Sequence, residues 1–226
     1  MISFLGDQKD QNHKYQEELG KQLYNEIILE DSYQLRPFFK KCTRNIDTII
    51  DIGSNIGYFS LLSSVLYPHA KKILVEPNPE NVKALKQNFK DFLNIDIIPK
   101  ALGNGSKVKM KFDERWSGSD SVVIDENGDI ETIGIVDIIP KNVGNYILKV
   151  DCEGGEKYLL DSDPKLFNNC IYFASEFHEN DTNSISDWEY WIKNTFSKNY
   201  NVNKKFLGKD MQNNLYLFFA FNNSKM

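Results

Sequence analysis

Residues 46–60 read IDTIIDIGSNIGYFS, and this stretch decides the fold. The run Ile46-Asp47-Thr48-Ile49-Ile50 is apolar and β-branched, as a buried strand requires, and Gly53 and Gly57 then predict a tight turn into a helix from about Gly57 to Leu66. A turn of this kind usually presents backbone N–H groups to an anion. Here an acid, Asp51, stands at its head. The pattern argues against a phosphate ligand.

Outward from this stretch the alternation repeats. Strands are expected at Lys72–Glu76, Ile95–Pro99, Tyr146–Asp151 and Ile171–Phe177, and the intervening helices at Pro79–Phe92, about Gly155–Leu160 and Ser186–Phe196. Pro79 suits a first helical turn, where its missing N–H has no partner to lose. Two last strands, Asn201–Phe206 and Leu215–Phe221, complete an α/β fold. It is a doubly wound, mostly parallel seven-stranded sheet ending in an antiparallel hairpin.

Two segments flank this frame. At about 106–139 the pattern shifts to short alternating strands, KVKMKF (107–112) and SVVID (121–125), with ENGD (126–129) as a turn, so a small β insertion is expected. Within residues 1–45, Tyr15, Leu19, Leu23 and Ile27 recur at helical spacing and predict an amphipathic cap helix from Tyr15 to Leu29. At 226 residues the chain reads as a single domain, 1–226, with the cap at 1–45 and the core at 46–226.

Composition narrows the function. The net charge of −5 gives no electrostatic case for sequence-independent binding to a nucleic-acid backbone, with local basic patches left open. Cys42, Cys152 and Cys170 are odd in number and form no CxxC pair, which suits a reducing compartment. The opening MISFLGDQKDQNHK lacks the apolar run of a signal peptide, and no stretch has the length of a membrane span. A cytoplasmic location is expected.

In an open parallel sheet, ligands bind beyond the carboxyl ends of the strands where strand order reverses. The strand ends here carry Asp51, Glu76, Lys100-Ala101 and Asp151-Cys152-Glu153. A dinucleotide pyrophosphate would meet these acids in a partly desolvated site, and like charges repel there. The pattern GSNIG also departs from the GxGxxG of nicotinamide-dependent oxidoreductases. S-adenosylmethionine carries a sulfonium and an ammonium and no phosphate. Asp51 would face the ammonium, and Glu76, 25 residues beyond Asp51, would accept hydrogen bonds from both ribose hydroxyls.

Four motifs in order carry a family resemblance: DIGSNIGYFS (51–60), VEPNPENVKALKQNF (75–89), Ala101-Leu102-Gly103, and ILKVDCEGGEKYLL (147–160) followed by SEFHE (175–179). Together they resemble the FkbM family of S-adenosylmethionine-dependent methyltransferases over about Ile46–Glu179. The resemblance implies a class I, Rossmann-like sheet and methyl transfer to a hydroxyl of a sugar, polyketide or other small metabolite, leaving S-adenosylhomocysteine. The family's cofactor positions fall on Asp51, Gly53, Asn55, Gly57, Glu76 and the acids of DCEGGE, including Asp151, Glu153 and Glu156. Ser54, Tyr58, Phe59, Pro77, Lys100 and Ala101 complete the expected contacts. The segment GIVDIIP (134–140) and the insertion 118–133 depart from the family pattern, so the acceptor is not read from the motifs. N-methylation, a nucleic-acid acceptor, or a cofactor-binding module without catalysis are the alternatives.

For catalysis the expected residues are His178, Asp151 and Glu176. His178 is the one histidine near a strand end at the switch-point face, since His13 precedes the core and His69 follows the first helix. Glu176 and His178 stand two apart and share a face of an extended strand, as orienter and base. With Asp151 and Glu153 the same pair would make a site for a hard cation such as Mg²⁺. Trp116, Trp188, Tyr190 and Trp191 are candidates for an acceptor wall, although aromatics at such spacings more often build a core.

Overall fold

The computed structural model describes residues 20–111, 121–196, 200–210 and 213–222. Tyr15 and Leu19 of the expected cap helix, His13 and Trp116 lie outside these residues.

Strand β1 (Thr48–Ile52) is buried along its whole length because parallel neighbours cover both of its edges and helices cover both faces. Those neighbours are β2 (Lys71–Val75) and β8 (Tyr146–Val150). β3 (Ile95–Ile98) extends the sheet past β2, and β9 (Cys170–Glu179) extends it past β8. β10 (Tyr200–Asp210) and β11 (Asn213–Asn222) form the antiparallel hairpin, with β11 inserted next to β9. The order is β10-β11-β9-β8-β1-β2-β3, so strand order reverses between β1 and β8. The ligand crevice belongs there.

The opening stretch folds as a strand, turn and helix. Gly53 has φ 72°, and a Cβ on it would sit 1.6 Å from the Asp151 carbonyl oxygen. Only glycine lets β1 exit this close to the end of β8. Helix α2 (Tyr58–Leu66) begins after Gly57, whose missing Cβ leaves room for the Phe89 ring. Phe89 is the C-cap residue of α3 (Pro79–Asn88), which therefore ends short of the expected Phe92 as its last aromatic turns into the core. Asn78 caps the start of α3 by accepting from Glu80 N at 2.9 Å, with Pro79 in the first turn.

The insertion is a small sheet and not a lone hairpin. β5 (Lys107–Lys111) pairs antiparallel with β6 (Ser121–Ile124), as expected, and also with β7 (Ile130–Ile133). The ENGD turn thus joins strands that flank β5 instead of facing each other. β7 in turn pairs with β4 (Ala101–Leu102), which ties the insertion to the crevice rim. A short helix, α4 (Ile135–Ile138), leads back toward β8.

Two elements depart from expectation. The helix expected after β8 is a 3₁₀ turn, Gly155–Leu159, entered through positive φ at Glu153 and Gly154. Before β1, Tyr24–Leu29 is π-helical, and a helix not expected from sequence follows it, α1 (Leu35–Lys41). Asp31 starts α1 by accepting from Leu35 N at 2.9 Å and Arg36 N at 2.8 Å. Pro37 is compatible with that first turn, where its N–H is not needed.

The two faces of the sheet carry separate cores. Under α5 (Ile185–Phe196), Trp188 stacks on Phe177 and on Trp191, each at 4.9 Å between ring centroids. Trp188 and Trp191 are therefore core residues, and Tyr190 is 70% exposed on the outer face of the helix, so none of the three lines the crevice. Under α1 and α2, Phe38, Phe59, Ile147, Tyr172 and Leu217 pack together. Among the described residues no helix is long and apolar enough to cross a membrane.

Candidate functional site

A cavity of about 510 Å³ opens where strand order reverses, within the range of sites that enclose a small molecule. The turn after β1 supplies Gly53, Ser54 and Asn55, and α2 supplies Tyr58 and Phe59. Glu76 and Pro77 after β2, Lys100 and Ala101 after β3, and Asp151 and Glu153 after β8 complete the expected set. Three expected residues, Asp51, Gly57 and the fully buried Glu156, are elsewhere. Asp51 is wholly buried, accepts from Ser60 Oγ at 2.6 Å, and pairs with Lys149 instead of facing a ligand. Gly57 packs against α3 and touches no part of the cavity.

Glu76 is almost fully enclosed. Its carboxylate accepts from Asn55 N at 2.8 Å, Asn78 N at 2.9 Å and the Asn81 side-chain amide at 3.3 Å. A carboxylate has about four acceptor positions, so about one is left for a ligand, fewer than the two ribose bonds expected from sequence. Burial pushes its pKa up against these donors.

Lys149, nearly fully buried, is part of the cavity lining and was not singled out by the sequence reading. It stands opposite Asp51 in the β1–β8 register. Its ammonium donates to the Gly53 carbonyl at 2.7 Å and lies 3.4 Å from both Asp51 and Asp151. Burial works to lower its pKa, but the two carboxylates outweigh burial and raise it. A lone lysine inside the buried strand YILKV, two residues before a strand-end acid, was the available signal. Tyr33, from the cap, donates to Asp151 Oδ2 at 2.6 Å and also lines the cavity. No motif marks Tyr33, because only the return of the cap over the sheet brings it there.

Asp151, Glu153, Glu176 and His178 converge at one end of the cavity. His178 Nε2 lies 3.2 Å from Glu153 and 3.7 Å from Glu176, while Nδ1 lies 3.3 Å from Glu156. The residue that orients the ring is thus Glu156, not Glu176 as expected. Glu156 is fully buried and accepts from Cys152 N at 2.9 Å and Gly154 N at 3.0 Å, which fixes the turn after β8. Burial would lower the His178 pKa, but Glu153 and Glu156 hold it well above its usual value. An imidazole whose pKa is raised holds its proton more tightly, and Glu153 and Glu156 engage both ring nitrogens, which runs against the expected role of His178 as base. Burial pushes both Glu153 and Glu176 up to about 8. Asp151 is also buried, but Lys149 and His178 hold its carboxyl below the usual range.

The donor set does not fit Mg²⁺. Asp151, Glu153 and His178 can bring ligand atoms within 4.8 Å of one another, and Glu176 is not part of that group. Mg²⁺ demands octahedral oxygen ligands and tolerates poorly a set with a ring nitrogen committed to ion pairs. No step below runs through a metal.

These shifts set a pH dependence. Glu153 and Glu176 have folded pKa values above their unfolded values near 4.5, so their stabilising contribution is complete below that pH and is lost as pH rises through about 8. His178, also raised, adds a contribution present below about 6.5 and lost as pH climbs through its folded value. Urea unfolding is expected to give higher stability at pH 5.5 than at pH 8.5, with Glu153→Gln flattening the difference. A flat wild-type profile would show that these groups are not perturbed.

Solved methyltransferase structures share this fold. A putative rRNA-methylase from Clostridium thermocellum aligns with a TM-score of 0.52 at 11% identity over 88% of this chain and 97% of that one. An rRNA methylase from Streptococcus thermophilus aligns with a TM-score of 0.50 at 8% identity, over 86% and 96%. The METTL16 MTase domain aligns with a TM-score of 0.52 at 9% identity, over 87% and 68%. No protein-family model and no curated protein matches the chain in sequence.

Proposed function

We propose that the chain is an S-adenosylmethionine-dependent methyltransferase acting on a hydroxyl of a small molecule. One observation carries this reading. The Gly53–Asn55 segment, Glu76, the acids just after β8 and Glu176 of β9 wall a single cavity at the switch point. That wall suits a cationic, phosphate-free cofactor with a ribose, and the motif order in the sequence resembles the FkbM family. Two of the structural neighbours are named as rRNA methylases, but three carboxylates at the end of the cavity and a net charge of −5 disfavour a polyanionic acceptor here.

When bound, S-adenosylmethionine supplies a methyl group already activated on a sulfonium. The protein then has to align the acceptor oxygen with the methyl carbon and take its proton. Alignment of this kind can contribute on the order of 7–11 kcal/mol of barrier reduction. Glu176, at the end of the cavity, would take the hydroxyl proton of the acceptor as that oxygen is methylated. A carboxylate with a pKa of about 8 is well matched to that task near neutral pH. His178, held beside it by Glu153 and Glu156, lends positive charge that favours the ionised form of Glu176, and Asp151 stays ionised at the same end of the cavity.

Calorimetric titration tests the reading. S-adenosylhomocysteine is expected to bind and NAD not to bind; the reverse preference defeats the proposal. Glu76→Ala removes one charge-assisted bond worth about 1.5–3 kcal/mol, so affinity for S-adenosylhomocysteine should fall about ten- to hundred-fold in a folded protein. Unchanged affinity would place the ribose away from Glu76.

A further inference from the structure

A second cavity, a groove, adjoins the site along the cap-covered face of the sheet. On β11, Leu215 lines the crevice, while Leu217, Phe219 and Phe221, at successive alternate positions, floor a second cavity of about 520 Å³. Strand register joins the two spaces: Leu215 stands opposite His178, and Leu217 opposite Glu176. Glu26 of the cap lines both. At the far end Phe221 stands opposite Tyr172, on which Phe38 stacks at 4.5 Å. The charged side chains around the groove balance, with Glu26 and Glu30 against Lys41 and Lys205.

We propose that this groove holds the apolar stem of the acceptor, an uncharged amphiphile whose terminal hydroxyl reaches Glu176 and His178. The inference rests on the methyltransferase reading and narrows its acceptor. The aromatic and aliphatic floor gains from excluding water, while Ser32, Gln34, Asn203 and the charged side chains lie elsewhere in the lining. Balanced charge around it favours neither a polyanion nor a polycation. From Leu217 to Phe221 the strand advances about 13 Å, which sets the length of the stem.

The test titrates 1-butanol, 1-hexanol and 1-octanol into the full chain saturated with S-adenosylhomocysteine. Each methylene buried is expected to strengthen binding about fourfold. Asn203, exposed on β10 and part of the groove wall, provides the control. Asn203→Trp places an indole in the groove and should weaken 1-octanol at least tenfold while S-adenosylhomocysteine binds as before. Affinity that does not rise with chain length, or an Asn203→Trp variant that binds 1-octanol unchanged, overturns the proposal. So does preferential binding of methyl glucoside or of an oligouridylate. The same alcohol series without S-adenosylhomocysteine still reports on the groove, so a failure of the cofactor reading is seen separately.

Discussion

Replacing Lys149 by Met is expected to lower the unfolding free energy by about 3–5 kcal/mol, because the ammonium is the shared counter-charge of two carboxylates. Asp51 shows why the cost is high. One of its oxygens accepts from Ser60, and the other has no hydrogen-bond donor and faces only the lysine, at 3.4 Å. Methionine leaves that charge buried without a partner. The ammonium also holds the Gly53 carbonyl, so the turn that walls the cofactor side should loosen and affinity for S-adenosylhomocysteine should fall with stability. The double variant Asp51→Asn, Lys149→Met removes one of the stranded charges and should recover part of the loss. Chemical denaturation of the three proteins decides the matter: a Lys149→Met variant as stable as the wild type would mean that the ion triad contributes nothing.

Glu176→Gln is expected to reduce kcat by about 10²–10⁴-fold, the usual contribution of general base catalysis, with little change in affinity for S-adenosylhomocysteine. Glutamine keeps the size and polarity of the side chain and removes its capacity to accept a proton. The pH profile makes the assignment specific. A base of pKa about 8 must be ionised to act, so wild-type kcat should rise about tenfold per pH unit well below 8 and level off above it. That limb should vanish in Glu176→Gln. His178→Asn, which takes away a hydrogen-bond donor beside the base, should lower kcat while moving the limb upward, since the imidazolium helps keep Glu176 ionised. Full turnover in Glu176→Gln would leave positioning alone as the source of rate, with the proton passing to water.

Much of this site was legible in advance, but unevenly. Glu76 and the Gly53 turn were readable because each sits at the end of a strand whose period is local, and the end of a parallel strand faces the crevice whatever packs around it. Asp51 looked equivalent, yet it lies inside β1, where parallel register sets it against Lys149 and α2 sets Ser60 over it. Trp188 and Trp191 carried an aromatic pattern that fits a pocket wall as well as a core. The hydrophobic face of α5 turned them under the sheet.

What the sequence by itself determined is the doubly wound sheet, its antiparallel end and the acidic switch point, since alternation of strand and helix, glycine turns and strand-end residues are properties of short stretches. The tertiary structure alone decided which acids face the cavity, which carboxylates lie against His178, and which apolar positions of β11 line a second cavity. Glu153 and Glu156 reach His178 from the turn after β8, entered at positive φ, while Glu176 lies two residues away on the same strand as His178. Tyr33 reaches Asp151 across 118 residues of chain. The groove exists only because β11 inserts beside β9 with its apolar positions in line with Glu176 and His178. Distances and burial of this kind set the charge of each group, and they depend on register between segments far apart in sequence.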